Sequence, residues 1–390
     1  MNFVRQSNAS FLLVPNDRVM RRDSTLYEQA MAKMGRLWGV NGPLRFNPCA
    51  NPVSLERCHL RDLEERDYVV AEKSDGVRYA LALLELDAGA GNAVLIALMV
   101  DRNLDAFEVR VNAPADDFAA GCIFDGELVW DETNTALGRR HAFYVFDVVA
   151  HEGACVRDRS FAERYRIVRR KFANVDPLSH ADGLASERIT TPGSAHRLTF
   201  CCKRFYSMHQ FDIAANRPVH HASDGYVFVP LHDAMPLNRA DRWYKWKRTH
   251  NIDVLVQASW NAAESRWRVC MFYLDGDVLR DASRFETSRL RHPGDGAAVC
   301  IRLADGNSAL GVPIDGAETI RHVWELACDR IERDAGDGWI VECRLHAVRW
   351  DKSAPNNAVT IERSLASASD AVSLDELRAA GVEAGRKPIK

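Results

Sequence analysis

The chain contains no CxxC pair, no GxxxxGK[ST] phosphate loop, no large excess of charge of either sign and no apolar run of membrane-spanning length. Each absence removes a class of function. The ten cysteines are scattered, apart from adjacent Cys201 and Cys202, so zinc-type spacings are missing. A disulfide framework does not suit a chain of 390 residues, and reduced, mostly buried thiols in an intracellular protein are expected. A net charge of −3 gives no global basic field, so any nucleic-acid contact must be local. The strongest apolar run, Ala93 to Val100, is too short for a bilayer and fits a buried strand. The opening MNFVRQSNASFLLVPNDR lacks a convincing signal-peptide core, so no secretory leader is expected.

The length allows two domains. Residues 1–65 read as a short helical start and a turn-rich connector. From Tyr68 to Val256, strand-like runs dominate: 68–72, 77–86, 93–100, 122–130, 142–149, 198–206, 225–230 and 252–256. A helix near 160–172 sets Phe161, Tyr165, Val168 and Phe172 on one face. Arg164, Arg166, Arg169, Arg170 and Lys171 fall largely off that face, as a solvated side or a surface that tracks RNA. Beyond Asn251 come alternating segments 252–258, 266–274, 298–303 and 339–345, an Asp275-Gly276 hairpin signal and a helix near 318–333. Five or so strands and one helix suit a small β-barrel of the OB type. Ser373 to Glu376 forms a capping box, with Gly381 as the expected C-cap of a short helix.

Chemistry is concentrated in five clusters. Lys73-Ser74-Asp75-Gly76-Val77-Arg78 places an amine, a carboxylate, a glycine and a fixed cation between two β-rich runs. A lysine presented between strands suggests covalent nucleotide transfer, whereas a phosphate loop would join a strand to a helix. Asp125-Gly126-Glu127 ends a buried-looking strand, and Asp224-Gly225 opens another. In Trp243-Tyr244-Lys245-Trp246-Lys247 the two lysines share one strand face and Tyr244 and Trp246 the other. Arg349-Trp350-Asp351-Lys352, followed by Pro355-Asn356, closes the second domain. Singly, these read as turns, a sheet with one wet face and a surface ion cluster.

Their order, KxDGxR, DGE, FD, DG, KWK, RxDK, resembles the covalent nucleotidyltransferase superfamily of mRNA capping guanylyltransferases and ATP- or NAD-dependent polynucleotide ligases. The segments MVDRNLDAFEV, FYVFDVV, KWKRTHNIDVLV and GWIVECR with RWDKSAPNN are similar to the capping branch. The resemblance covers roughly residues 45–356. It implies an α+β fold: a nucleotidyltransferase domain of antiparallel sheets with flanking helices at 1–249 and a C-terminal OB-fold β-barrel lid at 250–356. A helical segment at 357–390 would pack back on the first domain.

The resemblance also implies roles. Lys73 attacks the α-phosphorus of GTP, expels pyrophosphate and becomes lysyl-Nζ–GMP, which the 5′-diphosphate end of RNA then attacks. A free lysine, with a pKa near ~10.4, is protonated at neutral pH and needs activation by nearby cations and metal. Lys245 and Lys247 would supply that and clamp the α-phosphate. Mg²⁺ or Mn²⁺ would be held by phosphate and water, with Asp224 as its protein contact. Arg78 and Glu127 would meet the ribose, Phe146 would stack on guanine, and Lys203 in CCKRFY would donate to guanine O6. Arg102 is a further nucleotide contact. Arg349, Asp351 and Lys352 would act on the β- and γ-phosphates.

The other enzyme reading is an ATP-dependent RNA or DNA ligase working through lysyl-AMP. A non-enzymatic 5′-end-binding subunit would need no nucleophile at position 73. RNA triphosphatase and cap methyltransferase are expected on separate chains. Residues 1–45 and the tail GRKPIK are available to RNA polymerase or partner enzymes. No membrane contact is expected, and the site of action is the nucleus or a viral factory in the cytoplasm. His220, His221 and His250 read as surface or turn residues without a role.

Overall fold

The computed structural model describes residues 19–131, 140–172, 189–190, 198–248, 252–261, 266–276, 278–281, 298–302, 309–313, 339–343 and 356–386. They fall into two compact units, one within Asn8–Lys247 and Val372–Lys390, the other within Arg248–Ala371. In chain order the first unit begins with α1 Thr25–Trp38, β1 Asn51–Ser54, α2 Leu60–Glu65, β2 Tyr68–Ser74, β3 Val77–Asp87, β4 Ala93–Val100 and β5 Ala106–Val109. It continues with α3 Ala115–Ala120, β6 Cys122–Asp131, β7 Arg140–His151, β8 Ala154–Cys155, α4 Phe161–Lys171 and β9 Leu198–Cys202. β10 Tyr206–Ser207, α5 Phe211–Asn216, β11 Ser223–Pro230 and β12 Arg239–Lys247 follow.

Two sheets organise this unit. One has the order β5-β4-β3-β6-β7-β8, with β9 parallel to β7. The other has the order β1-β12-β11-β2-β10, with β1 parallel to β12. All remaining pairings in both sheets are antiparallel. The apolar run at Ala93–Val100 is β4, a strand buried from Ile96 to Val100.

β3 shows why the sheets sit where they do. Its Tyr79, Leu81 and Leu83 enter one apolar cluster with Phe107, Phe124 and Phe143, while Ala80, Ala82 and Leu84 enter another with α1 and Trp243. A strand covered on both faces loses the polar alternation of a surface strand. Each fully buried leucine contributes roughly 1.5–3 kcal/mol, so β3 is a rigid mount for the loop that precedes it. A third cluster lies under the other sheet and includes Tyr68, Val70, Phe228, Tyr244 and Trp246.

Helix α4 begins at a Ser160–Glu163 capping box, as its sequence suits. Its basic residues do not form one solvated face. Arg164 is fully buried against Asp147, and Lys171 Nζ lies 2.8 and 2.9 Å from the two Asp117 oxygens. The helix packs into two clusters, through Phe161 and through Ile167 and Val168, so it is enclosed on more than one side. Arg166, Arg169 and Arg170 stay exposed.

In the second unit, β13 Ile252–Asn261, β14 Arg266–Asp275, β15 Val278–Asp281 and β18 Trp339–Cys343 form an antiparallel sheet of order β15-β14-β13-β18. β16 Ala298–Arg302 and β17 Ala309–Pro313 pair with each other. The Asp275-Gly276 signal is a true turn, with Gly276 at φ 61° between β14 and β15. The helix expected near 318–333 lies outside the described residues.

The last segment divides. α6 Ala358–Ser369 packs on β13 and β14, whereas α7 Leu374–Gly385 belongs to the first unit and packs on α2 and α5. Trp246 Nε1 donates to the Val372 carbonyl at 2.7 Å, and Arg57 pairs with Glu376. The Ser373–Glu376 capping box is present, but Gly381 is not the cap. It sits inside the helix, where a Cβ would come 3.0 Å from the Met208 carbonyl oxygen, so its smallness serves close packing.

Candidate active site

β2 is buried from Tyr68 to Ala71 and turns polar at Glu72, Lys73 and Ser74. The chain then crosses to the other sheet through Asp75 and Gly76. A Cβ on Gly76 would sit 2.2 Å from the Leu128 carbonyl oxygen, so only glycine lets this loop lie against β6. Gly225 has the same restriction, since a Cβ there would stand 1.9 Å from the Trp246 carbonyl oxygen. Gly225 pairs with Lys73 on one side and Lys247 on the other. The register irregularity at Ser223/Gly225 leaves Asp224 between the two lysines.

Asp224 bridges them: Lys73 Nζ lies 2.8 Å from Oδ1, and Lys247 Nζ lies 3.0 Å from Oδ2. Oδ1 has no hydrogen bond of good angle, so its contact with Lys73 is chiefly Coulombic. Burial pushes the Asp224 carboxyl up, but Lys73 and Lys247 outweigh it and hold the group below its ordinary range. The nearest charge to Lys73 is therefore an anion, where the sequence suggested activating cations. The cationic crowding falls on Lys245 instead. Burial first, then Lys247, Lys73 and Arg102, push its ammonium down to about 8. Tyr244 and Trp246 face the third apolar cluster, which fixes the lysines on the opposite side of β12.

The other sheet supplies the second wall. Arg78 Nε donates to Asp125 Oδ1 at 2.9 Å and Nη1 to the Ala50 carbonyl at 2.8 Å, and its guanidinium stands 5.4 Å from the centre of the Phe146 ring. Burial pushes Glu127 above the usual carboxylate range, although Lys203, Arg78 and Lys73 pull it back. Three cations thus converge on one carboxylate. Lys203 Nζ donates to Ser74 Oγ at 2.6 Å and lies 3.4 Å from Glu72 Oε1.

The structure gathers Lys73, Arg78, Glu127, Phe146, Lys203, Asp224, Lys245 and Lys247 around the gap between the two sheets of the first unit. Arg102 is exposed but close enough to act on Lys245. Arg349, Asp351 and Lys352 lie outside the described residues. Asp125, Glu72, Ser74 and His221 were given no role by the sequence, yet Asp125 binds Arg78, Glu72 and Ser74 bind Lys203, and His221 reaches Lys203 through Ser74. Asp125-Gly126-Glu127 does not end its strand but lies inside β6, Cys122–Asp131, whereas Ser74 ends β2. A polar residue set against an apolar strand run is the one signal that marked both Asp125 and Ser74. His221 is not a surface residue: its side chain is 4% exposed.

For a metal, the donor set offers the Asp224 carboxylate beside a lysine-rich pocket, while Glu127 is already faced by Lys203, Arg78 and Lys73. That suits a cation which takes most of its ligands from substrate phosphates and water. The exposed trio Glu56, Cys58 and His59 also lies within coordinating reach. There Glu56 and His59 are already occupied by a reciprocal capping box, and no ion pair among the described residues ties the trio to the lysine cluster.

Two largely antiparallel sheets that hold a lysine near the end of β2, its carboxylate partner, two further lysines and an aromatic ring suit a nucleotidyltransferase. The family described as mRNA capping enzyme, catalytic domain, matches residues 13–249, and the chain belongs to it. It is 27% identical over 367 residues to an mRNA-capping enzyme subunit alpha from Neurospora crassa, covering 85% of this chain and 84% of that protein. To an mRNA-capping enzyme from Caenorhabditis elegans it is 25% identical over 242 residues, 60% of this chain but only 37% of that protein. A solved mycobacterial DNA ligase D complexed with ATP and MES is 13% identical, with 75% and 80% coverage and a TM-score of 0.35, a likeness too low to carry an argument.

Proposed function

We propose that this chain is an mRNA guanylyltransferase that carries GMP on Lys73 and passes it to the 5′-diphosphate end of RNA. The observation that carries the reading is the Lys73–Asp224–Lys247 bridge, set beside Lys245 and facing Glu127 and Lys203. Lys73 Nζ forms a bond to the α-phosphorus, the bond from that phosphorus to the bridging oxygen breaks, and pyrophosphate leaves. In the second half-reaction the RNA diphosphate displaces Lys73 from the same phosphorus. Lys73 must first lose a proton and its hold on Asp224, so the ion pair is a resting state and not the attacking one.

Lys245 and Lys247 neutralise charge on the α-phosphate as it builds. Arg78, held by Asp125, and Glu127 meet the ribose hydroxyls, Phe146 stacks on the base, and Lys203 donates to guanine O6. Mg²⁺ or Mn²⁺, held by Asp224 together with phosphate oxygens and water, supplies further charge neutralisation when bound. The second unit is assigned as an OB-type lid, with Arg349, Asp351 and Lys352 acting on the β- and γ-phosphates. The reading places the protein inside the cell, with triphosphatase and methyltransferase steps on other chains.

Lys245 makes nucleotide binding depend on pH. Its ammonium is held low, so the free protein loses this charge as pH rises through about 8. Phosphate binding requires that charge, and affinity for a non-hydrolysable GTP analogue is expected to fall by up to about tenfold per pH unit above that point. Titration calorimetry from pH 7 to 9.5 should show the slope in the wild type and lose most of it in Lys245→Met. An equal slope in both would remove Lys245 from phosphate binding.

Incubation with α-labelled GTP or ATP and Mg²⁺ tests the function as a whole. Acid-labile, alkali-stable label is expected from GTP. Label retained from ATP alone would make the chain a ligase-type adenylyltransferase.

A further inference from the structure

His221 lies in the segment before β11, behind the nucleophile strand. Its ring centre stands 4.9 Å from that of Tyr144, and its Nε2 is 2.7 Å from Ser74 Oγ. The same Ser74 oxygen receives the Lys203 Nζ hydrogen bond at 2.6 Å. Glu72 Oε1 completes the group, 3.4 Å from Lys203 Nζ and 3.9 Å from His221 Nε2.

The donor inventory orders this chain of contacts. A lysine ammonium only donates, so Ser74 Oγ accepts from Lys203. Ser74 Oγ can then give its own proton to His221 Nε2 when Nδ1 carries the ring proton, and this is the tautomer the proposal uses. This assignment satisfies all three groups. A hydroxyl that gives its proton away has its lone pairs aimed at Lys203, and the ammonium is held at one point by Ser74 and Glu72 together. Without that hold, Lys203 would be a charge on a flexible four-carbon stem.

We propose that His221 is a positioning residue for base selection: through Ser74 it fixes the Lys203 ammonium where guanine presents O6. The proposal rests on the reading of Lys203 as the guanine donor. Guanine offers an acceptor at that edge and adenine an amino donor. A fixed ammonium therefore favours one base and opposes the other, whereas a wandering one discriminates less. His221 touches neither nucleotide nor reacting atom in this scheme. Its signature is a change in preference and not only a loss of rate.

The test measures formation of the enzyme–nucleotide adduct with α-labelled GTP and ATP, separately and in competition, after thermal melts establish that each variant is folded. His221→Ala is expected to lower the GTP-over-ATP ratio of kcat/KM by about tenfold, the effect of one well-placed buried hydrogen bond. His221→Gln offers an amide oxygen to the Ser74 proton and should recover most of the preference. Equal losses for both nucleotides in His221→Ala would overturn the proposal and leave a purely structural role. Lys203→Ala separates the two layers. If it leaves the ratio unchanged, the guanine-donor reading fails. If it collapses the ratio while His221→Ala does not, only the positioning role of His221 fails. Should His221→Ala not fold, Ser74→Ala breaks the same chain of bonds, with the same fall expected and an unchanged ratio overturning the idea.

Discussion

Lys73→Ala is expected to leave no nucleotide on the protein, a loss of at least about a thousandfold in adduct formation. No other side chain is expected to take over, because Lys245 and Lys247 both sit on β12, two strands away in the sheet order from β2, which carries Lys73. Folding should survive, since Asp224 keeps Lys247 at 3.0 Å when Lys73 is gone. Lys73→Arg sharpens the experiment. Arginine can still pair with Asp224 but does not deprotonate, so it preserves the charge and removes the nucleophile. Both variants should melt like the wild type and lack the gain of about 345 Da (GMP less water) on the peptide containing residue 73. Adduct in Lys73→Arg, or adduct mapped to another lysine in the wild type, would refute the covalent scheme.

Arg164→Ala is expected to be the most damaging substitution away from the chemistry. Its guanidinium grips the Asp147 carboxylate through Nε at 2.9 Å and Nη2 at 3.0 Å, with both side chains essentially without exposure. Nη1 also donates to the carbonyl oxygens of Asp233 at 3.1 Å and Arg157 at 3.4 Å. Removing it strands a buried carboxylate and several carbonyls, at a cost of about 3–5 kcal/mol. That is a large share of the roughly 5–15 kcal/mol by which domains are stable. The loss should depend on pH. Burial pushes Asp147 above the ordinary carboxylate range even with Arg164 pulling it down. In the variant the folded state therefore binds the proton more tightly than the unfolded state, and stability falls as pH rises toward neutrality. Denaturation at pH 5 and pH 7.5 should show the smaller deficit at pH 5. Asp147→Leu combined with Arg164→Met should recover most of the stability; a double variant as weak as Arg164→Ala would mean that the ion pair is not the cause.

That buried pair bears on the active site, because Asp147 is the neighbour of Phe146 on β7. Successive strand residues point to opposite faces. The anchor on one side thus fixes the height and angle of the aromatic ring on the other.

Periodicity found most of the strands because the first unit is built on them. β4 matches its expected span, and β12 divides into lysine and aromatic faces as its alternation requires. Short elements such as β5 and α3 left too few residues for a pattern. The nucleophile, its neighbours on β12 and the Asp224 carboxylate were legible because their chemistry is local in sequence. Arg164 was misread as solvated because its partner lies on another element, and a helical pattern cannot reveal that. His221 escaped for the same reason: 147 residues separate it from Ser74. Gly381 satisfied the usual rule for a helix stop, yet its reason is the Met208 carbonyl pressed against it.

The placement of α7 sets the order in which the protein can be completed at the ribosome. Leu377 and Ala380 are wholly enclosed within the cluster that also buries Tyr68, Phe228 and Trp246. Translation delivers them only after every strand of the inserted unit has been made. Until then that part of the earlier sheet lacks its cover, so a nascent chain paused between residues 248 and 371 presents apolar surface of the kind that promotes aggregation.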